Sequence, residues 1–370
     1  MRIGILKEIK PQENRVCMTP AGVEIMKKNG HDVLVETTAG ERSGFTDDDY
    51  RAVGAEIGAS PAEVFAQGDM VMHVKEPQPS EYPMIRSGQT IFTYFHFAAS
   101  RDLTEGMLKT GATCIAYETI TDDHGTLPLL TPMSEVAGRM ATQEGAKYAE
   151  RTFNGRGILL GGVTGVAPAR VLVIGGGVVG TNAAQMACGL GAQVYLLDTS
   201  LDRLRYLSEV MPKNCFTMYS TPAAVRELSR EADVIIGAVL VHGAKAPHLI
   251  TRHMLKTLKK GTVLVDVSID QGGCFETSHA TTHAEPTYEV DDVVHYCVAN
   301  MPGAVPLTST MALTNATLPY AAKLANVGWQ AAARGDRHIL NGVNVVDGKV
   351  TYRNVADAFG MDYVPVSDLI

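Results

Sequence analysis

Five side chains in this sequence have the types and positions to do chemistry on a small charged molecule: Arg15, Lys75, His96, Asp198 and Asp270. Arg15 stands in "ENRVCMTP", Lys75 closes "MVMHVK" directly before Glu76-Pro77, and His96 follows "TIFTYF" inside "FHFAAS". Two cations can fix a carboxylate in a reactive pose, and a histidine can move protons near neutral pH. Each also has a plainer fate. Arg15 could be a surface cation, Lys75 could pair with Glu76 or snorkel, and His96 could be a satisfied core ring among aromatics.

The stretch "VLVDVSIDQGGCFETS", residues 263–278, places two carboxylates in and just past an apolar run. Asp266 has apolar neighbours and needs a hydrogen-bond donor or a cation if it is buried. Asp270 falls at the C-terminal end of the expected strand 261–270, where Gly272 and Gly273 let the backbone turn away. Asp270 is therefore the candidate for chemistry and Asp266 the structural one. His279 and His283 stand four residues apart in a Thr- and Pro-rich stretch without a nearby third ligand, so no metal site is expected.

The most informative stretch is "RVLVIGGGVVGTNAAQMACGLGAQVYLLD". Gly175, Gly177 and Gly180 form G-x-G-x-x-G directly after an apolar strand and ahead of a helix. The first glycine permits a tight turn, the second lets a pyrophosphate approach the backbone, and the third lets helix pack on strand. The helix N-terminus offers unpaired N–H groups to the phosphates. A second strand ends in Asp198, whose carboxylate can accept both ribose hydroxyls and would repel a 2′-phosphate, so NAD is the expected cofactor. Later strand ends should line the same crevice, which points to Val239, Leu240, Asp270 and Asn300.

The elements that must position these residues alternate between strand and helix. "RIGIL", "DVLVE", "MVMHVK", "TIFTYF" and "TCIAYE" read as strands, and "PAGVEIMKKNG" as a helix ending on glycine. A second series follows in "RVLVIG", "AQVYLLD", "ADVIIGAVL", "GTVLVDVSID" and "HYCVAN". Between the two lies a long helix within 124–151, with Ser134 near its start and Val136, Met140 and Ala141 on one face. In the helix after the glycines, Val179, Ala183, Met186 and Leu190 are expected to form the packing face. The fold class is α/β: two Rossmann-like domains with mostly parallel sheets and a cleft between them. Residues 1–130 and 307–370 are expected to form a discontinuous substrate and catalytic domain, and 131–306 the NAD-binding domain.

Composition limits the alternatives. At 370 residues the chain is long enough for two cores. A net charge of −8 argues against nucleic acid or an anionic membrane as partner. The six cysteines form no C-x-x-C, as expected of thiols in a reducing cytoplasm. Residues 158–180 mimic a membrane span in bulk hydropathy, but Arg170, Pro168 and the glycines break that reading.

Taken together, "KEIKPQENRV", "VKEPQPSEY", "IFTYFHFAAS", "LLTPMSEVAGR", "IGGGVVG", "DVSIDQGGCFETS", "THAEPTY" and "HYCVANMPGAVPLTSTMALTNATLPY" resemble the bacterial family of L-alanine dehydrogenases, which also includes the NAD(H)-binding subunit of proton-translocating transhydrogenase. The resemblance runs nearly end to end. It implies that Arg15 and Lys75 hold the substrate carboxylate and carbonyl, and that His96 and Asp270 are the catalytic pair. It implies NAD contacts from Ser134, Val178, Val179, Asp198, Arg203, Ser220, Val239, Leu240, Val267, Ser268, Ile269, Asp270, Val298, Ala299, Asn300 and Met301. It also implies a homohexamer acting on L-alanine, pyruvate and ammonium, while the composition and cysteine usage lead to the expectation of a cytoplasmic protein. Two positions depart from the family pattern: His279, where a Lys or Arg near the cofactor is common, and Leu307, where a basic residue often follows "GAVP". The rival readings are a transhydrogenase subunit, a related amino-acid or imine oxidoreductase, and a non-enzymatic NAD-binding protein on the same fold.

Overall fold

The computed structural model describes residues 1–239 and 247–370; Leu240 lies outside the described residues. The chain divides into two compact units, Met1–Met133 with Val305–Ile370, and Ser134–Ala304.

The strands in chain order are β1 (Arg2–Ile5), β2 (Asp32–Glu36), β3 (Glu56–Gly58), β4 (Met70–Met72), β5 (Thr90–Thr93), β6 (Thr113–Ala116), β7 (Arg170–Ile174), β8 (Gln193–Asp198), β9 (Cys215–Tyr219), β10 (Val234–Gly237), β11 (Val263–Asp266), β12 (Thr287–Val290), β13 (Val293–Tyr296), β14 (Val343–Val346) and β15 (Lys349–Val350). The first unit holds one sheet in the order β15-β14-β6-β5-β4-β1-β2-β3. Its six N-terminal strands are parallel, and β14 and β15 extend it antiparallel. The second unit holds β12-β13-β11-β10-β7-β8-β9, parallel except for the edge strand β12.

Both sheets therefore run outward from their first strand in two directions. In the first, β1 lies between β2 and β4; in the second, β7 lies between β8 and β10. That reversal leaves a crevice at the C-terminal ends of the two strands flanking it, where open α/β sheets bind ligands. Arg15 follows β1 and Lys75 follows β4, so both stand at the switch point of the first sheet. The glycine motif follows β7 and Val239 follows β10, at the switch point of the second.

Two helices support these loops. Pro306–Val327 sends Thr310 Oγ1 to accept the Val16 amide at 3.1 Å and Thr314 Oγ1 to accept the Thr19 amide at 3.2 Å. It thus braces the segment after Arg15. In the second unit, the helix Val178–Gly189 buries Gly180, Ala183, Ala184, Ala187 and Cys188, while Met186 and Leu190 are exposed. The packing face is thus a stripe of small residues, rotated from the one the apolar periodicity suggested. The helix Thr131–Tyr148 passes close by: a Cβ on Gly138 would stand 2.2 Å from the Val179 carbonyl oxygen.

Three strands end earlier than their apolar runs. β10 stops at Gly237, β11 at Asp266 and β13 at Tyr296, so Asp270 and Asn300 each lie four residues past a strand. Asp270 sits in the 3-10 turn Ile269–Gln271, and Asn300 has a left-handed backbone, φ 59°. Gly237 and Asp266 are paired across β10 and β11 as the last residues of the ladder. Beyond them the backbone finds its hydrogen bonds in turns instead.

Candidate active site

In the first unit Arg15 is buried, with its Nε donating to Glu13 Oε1 at 2.7 Å and Nη2 donating to Glu13 Oε2 at 2.5 Å. Such a two-pronged pair fixes the guanidinium plane. Met133 Sδ lies 3.0 Å from Nη1. Burial pushes the Glu13 carboxyl up, but the hydrogen bonds and charge of Arg15 outweigh it and hold the group at about 2. Arg15 is not a surface cation.

Lys75 is half-buried, and burial followed by the nearby Arg15 charge lowers its ammonium below the usual lysine range. Glu76, its sequence neighbour, is instead paired with Lys10. Two neighbouring cations of this kind can hold an anion, and a bound carboxylate would favour the charged form of Lys75.

His96 is exposed on the turn after β5 and adopts left-handed backbone angles, φ 54° and ψ 42°. Histidine tolerates this conformation better than most residues, and it recurs at functional sites. Glu118 maintains it, since its carboxylate accepts the amides of both Phe95 and His96. The His96 ring lies parallel to Tyr94, centroids 5.9 Å apart and planes inclined by 6°. Tyr94 is buried and donates to the Leu129 carbonyl, so it forms a fixed wall. His96 is thus presented to solvent and is not packed as a core residue.

In the second unit the three glycines of the motif differ in what requires them. Gly175 has φ +105°, and a Cβ there would stand 2.5 Å from the Ala238 carbonyl oxygen. A Cβ on Gly180 would stand 1.7 Å from the Gly175 carbonyl oxygen. Both are demanded by the fold. Gly177 has φ −67°, and a Cβ there meets nothing within 4 Å. Among the described residues nothing requires glycine at 177, whereas a pyrophosphate lying against the backbone would. Asp198 accepts the Gly176 amide at 2.7 Å on Oδ2 and the Ser200 amide at 2.8 Å on Oδ1, leaving lone pairs on both oxygens. The residues present fit a dinucleotide.

Arg203 turns toward this loop. Its Nε donates to the Gly176 carbonyl at 2.6 Å and its Nη2 to Thr181 Oγ1 at 2.9 Å. Ser220 is joined to the end of β8 through its amide, which donates to the Asp198 carbonyl at 2.9 Å. Val178 is exposed, and Ser134 and Val179 are half-buried. Val239 and Val267 are half-buried, Ser268, Ile269, Val298 and Met301 are buried, and Ala299 and Asn300 are half-buried. Ser268 Oγ donates to the Val239 carbonyl at 2.8 Å and so joins the loops after β10 and β11. His283 Nε2 lies 3.2 Å from the Asn300 carbonyl. The His279 ring stacks on Tyr288 at 3.7 Å between centroids.

Asp266 and Asp270 take opposite environments. Asp266 is fully buried, whereas Asp270 is exposed. The Asp266 carboxylate accepts the amides of Ser268, Cys274 and Phe275 and the Ser278 hydroxyl. Burial raises its pKa while these donors oppose the rise. Asp266 closes the turn that carries Asp270.

Glu13, Glu8, His73, Tyr94 and Glu118 were not singled out in the sequence. The acidic pair within "KEIKPQENRV" was the available signal for Glu8 and Glu13, since two acids beside a candidate anion-binding arginine need an explanation. Among the described residues no cluster of His, Cys, Asp and Glu could hold a metal ion.

The sheet order and the glycine loop define the class: a two-unit α/β protein with a dinucleotide-binding fold in one unit and a buried arginine beside a half-buried lysine in the other. The family follows from comparison. Residues 4–137 match the N-terminal domain and residues 141–353 the C-terminal domain described as alanine dehydrogenase/PNT, and the chain belongs to that family. It is 59% identical to an alanine dehydrogenase of Halomonas elongata over the whole of both chains. It is 54% identical to that of Bacillus subtilis, covering 99% of this chain and 96% of the relative. A solved L-alanine dehydrogenase structure superposes with a TM-score of 0.95 at 48% identity, covering 97% of this chain and 99% of that one. A transhydrogenase structure from Sinorhizobium meliloti shares the fold, with a TM-score of 0.81 at 24% identity over 95% of this chain and 99% of that one.

Proposed function

We infer that the chain is an NAD-dependent alanine dehydrogenase, interconverting L-alanine with pyruvate and ammonium. The observation that carries this reading is the buried Arg15 beside Lys75, whose ammonium is held below the usual range by burial and then by the Arg15 charge, at a sheet switch point where a dinucleotide-binding unit would carry glycines. Full-length relatives at 48–59% identity are alanine dehydrogenases, which supports alanine as the substrate.

Arg15 and Lys75 hold the substrate carboxylate and carbonyl, an orientation effect that can supply several kcal/mol of the barrier. NAD is held by the 175–180 loop, with Asp198 toward the ribose, and when bound it takes the hydride from the alanine Cα. The neutral amine is the reactive form, and loss of hydride leaves an iminium on the substrate. Asp270, as a carboxylate, stabilises that positive charge and orients water. His96 moves protons on and off the attacking water and the carbinolamine oxygen. The carbinolamine then collapses to pyruvate and ammonia.

The same reading has the second unit carrying the cofactor and the first the substrate, in a cytoplasmic homohexamer. Family resemblance supports the assembly, and a particle six times the chain mass in light scattering is the corresponding result. Among the described residues no helix is long and apolar enough to cross a membrane.

NADH formation followed across L-alanine, other amino acids and 2-hydroxy acids tests the activity. L-Alanine with NAD is expected to turn over fastest, with a forward rate that rises at alkaline pH as the amine loses its proton. Equal or faster turnover of a hydroxy acid would overturn it.

A further inference from the structure

Behind Lys75 the first unit buries a charge cluster that the reaction as described does not use. His73, immediately past β4, is 1% exposed and lies between two carboxylates that are 4% and 3% exposed. Its Nδ1 is 3.2 Å from Glu8 Oε1, in the loop after β1, and its Nε2 is 3.4 Å from Glu81 Oε1, in the loop after β4. A neutral imidazole has one donor and one lone pair, so it would turn that lone pair against a carboxylate. The imidazolium suits both carboxylates, hydrogen-bonded to Glu8 and ion-paired with Glu81 without a hydrogen bond at Nε2.

The clasp reaches Lys75 through the backbone. Glu8 Oε1, besides facing His73, accepts the Val74 amide at 2.6 Å and the Lys75 amide at 3.3 Å. Glu81 Oε2 accepts the Gln78 amide at 2.7 Å, closing the other end of the same loop. The Lys75 carbonyl accepts from Thr93 Oγ1 at 3.0 Å, so both peptide faces of Lys75 are held. Glu36, buried nearby, adds a third acid to the field around His73, and its Oε2 accepts the Lys7 amide at 2.9 Å. The Phe65 ring also faces His73, 6.2 Å between centroids.

We propose that His73 is a positioning residue for the substrate-carboxylate pocket, clasping Glu8 and Glu81 and so fixing the backbone from which Lys75 reaches the substrate. The loops that carry Arg15 and Lys75 are then set by one shared cation. Burial opposes the charged ring, but the two carboxylates overcome it and raise the group to about 10, so the clasp stays closed through the neutral range. This role rests on the reading of Lys75 as a substrate ligand.

The test is steady-state kinetics of the full-length protein with His73→Gln, His73→Lys and Lys75→Ala, together with NADH binding by fluorescence. His73→Gln removes the cation and is expected to raise KM for L-alanine and pyruvate on the order of ten-fold, while the NADH dissociation constant stays within about two-fold. His73→Lys keeps a charge between the carboxylates and is expected to recover most of that loss. A folded His73→Gln protein with unchanged KM overturns the proposal, as does a KM loss that His73→Lys does not relieve. If His73→Gln fails to fold, Glu81→Gln is measured instead. That variant opens one side of the clasp, and unchanged KM in it also overturns the role. Lys75→Ala separates the two ideas: wild-type KM there defeats the substrate reading itself, whereas a large loss there with normal His73→Gln kinetics defeats the positioning role alone.

Discussion

Asp266 Oδ2 accepts the Cys274 amide at 2.9 Å, and this bond spans the turn on which Asp270 stands. The carboxylate also takes the Ser268 and Phe275 amides and the Ser278 hydroxyl, so one buried side chain organises a dozen residues. Asp266→Asn puts an amide NH2 where donors already converge. The expected cost is about 1–3 kcal/mol of stability. Turnover should fall with it, because the Asp270 turn loses its anchor. Thermal unfolding and kcat are the measurements, and wild-type values for both would show that the turn holds without Asp266.

Glu13 and Arg15 form a buried pair, and removing one partner leaves the other charge uncompensated. Glu13→Gln is expected to cost about 3–5 kcal/mol in denaturant unfolding. The pair also gives a signed acid dependence. The folded-state value is about 2 against an ordinary 4.5, so its contribution is complete above pH 4.5 and is lost as pH falls toward 2. Acid unfolding of the Glu13→Gln variant should therefore be shallower than that of the parent across that window.

The glycines at 177 and 180 should behave differently. Gly180→Ala drives a Cβ into the Gly175 carbonyl and is expected to destabilise the protein by about 1–3 kcal/mol or more. Gly177→Ala meets nothing among the described residues, so its stability should stay within about 0.5 kcal/mol of the parent. Its NADH affinity should nonetheless fall on the order of ten-fold, about 1.4 kcal/mol, as the methyl group occupies the pyrophosphate approach. Titration calorimetry beside thermal unfolding separates the two effects. Full NADH affinity in Gly177→Ala would remove the main support for that cradle.

His96→Ala should lose turnover by about 10²–10⁴-fold, the usual range for a positioned proton-transfer group, and Asp270→Ala by about 10²–10³-fold, as for a lost electrostatic stabiliser. Both residues are exposed on turns, so the unfolding temperature should barely change in Asp270→Ala and fall modestly in His96→Ala, where alanine takes a left-handed backbone. NADH binding should persist in both. Near-parental kcat in Asp270→Ala would remove it from the mechanism.

The amino-acid sequence by itself determined what depends on neighbours along the chain. Alternating apolar runs and helical spacing were enough for two mostly parallel sheets, because strand and helix periods are local properties. The glycine spacing and Asp198 marked the dinucleotide loop for the same reason: turn, helix start and acid follow one another within one βαβ unit. Tertiary structure decided what depends on distant partners. The run through 261–270 looked like a strand to its end, yet pairing stops at Asp266 opposite Gly237, and an apolar run carries no record of its partner's length. The Val178–Gly189 helix turned its small residues inward, and Gly180 there lies against the Gly175 carbonyl, an approach that periodicity does not record. Of the two carboxylates in 263–278, sequence position alone left Asp266 without donors. The fold supplies them from residues two to twelve positions onward, brought back by a turn. The clasp of His73 between Glu8 and Glu81 was equally invisible, because its acids come from two loops that only parallel pairing of β1 with β4 brings side by side.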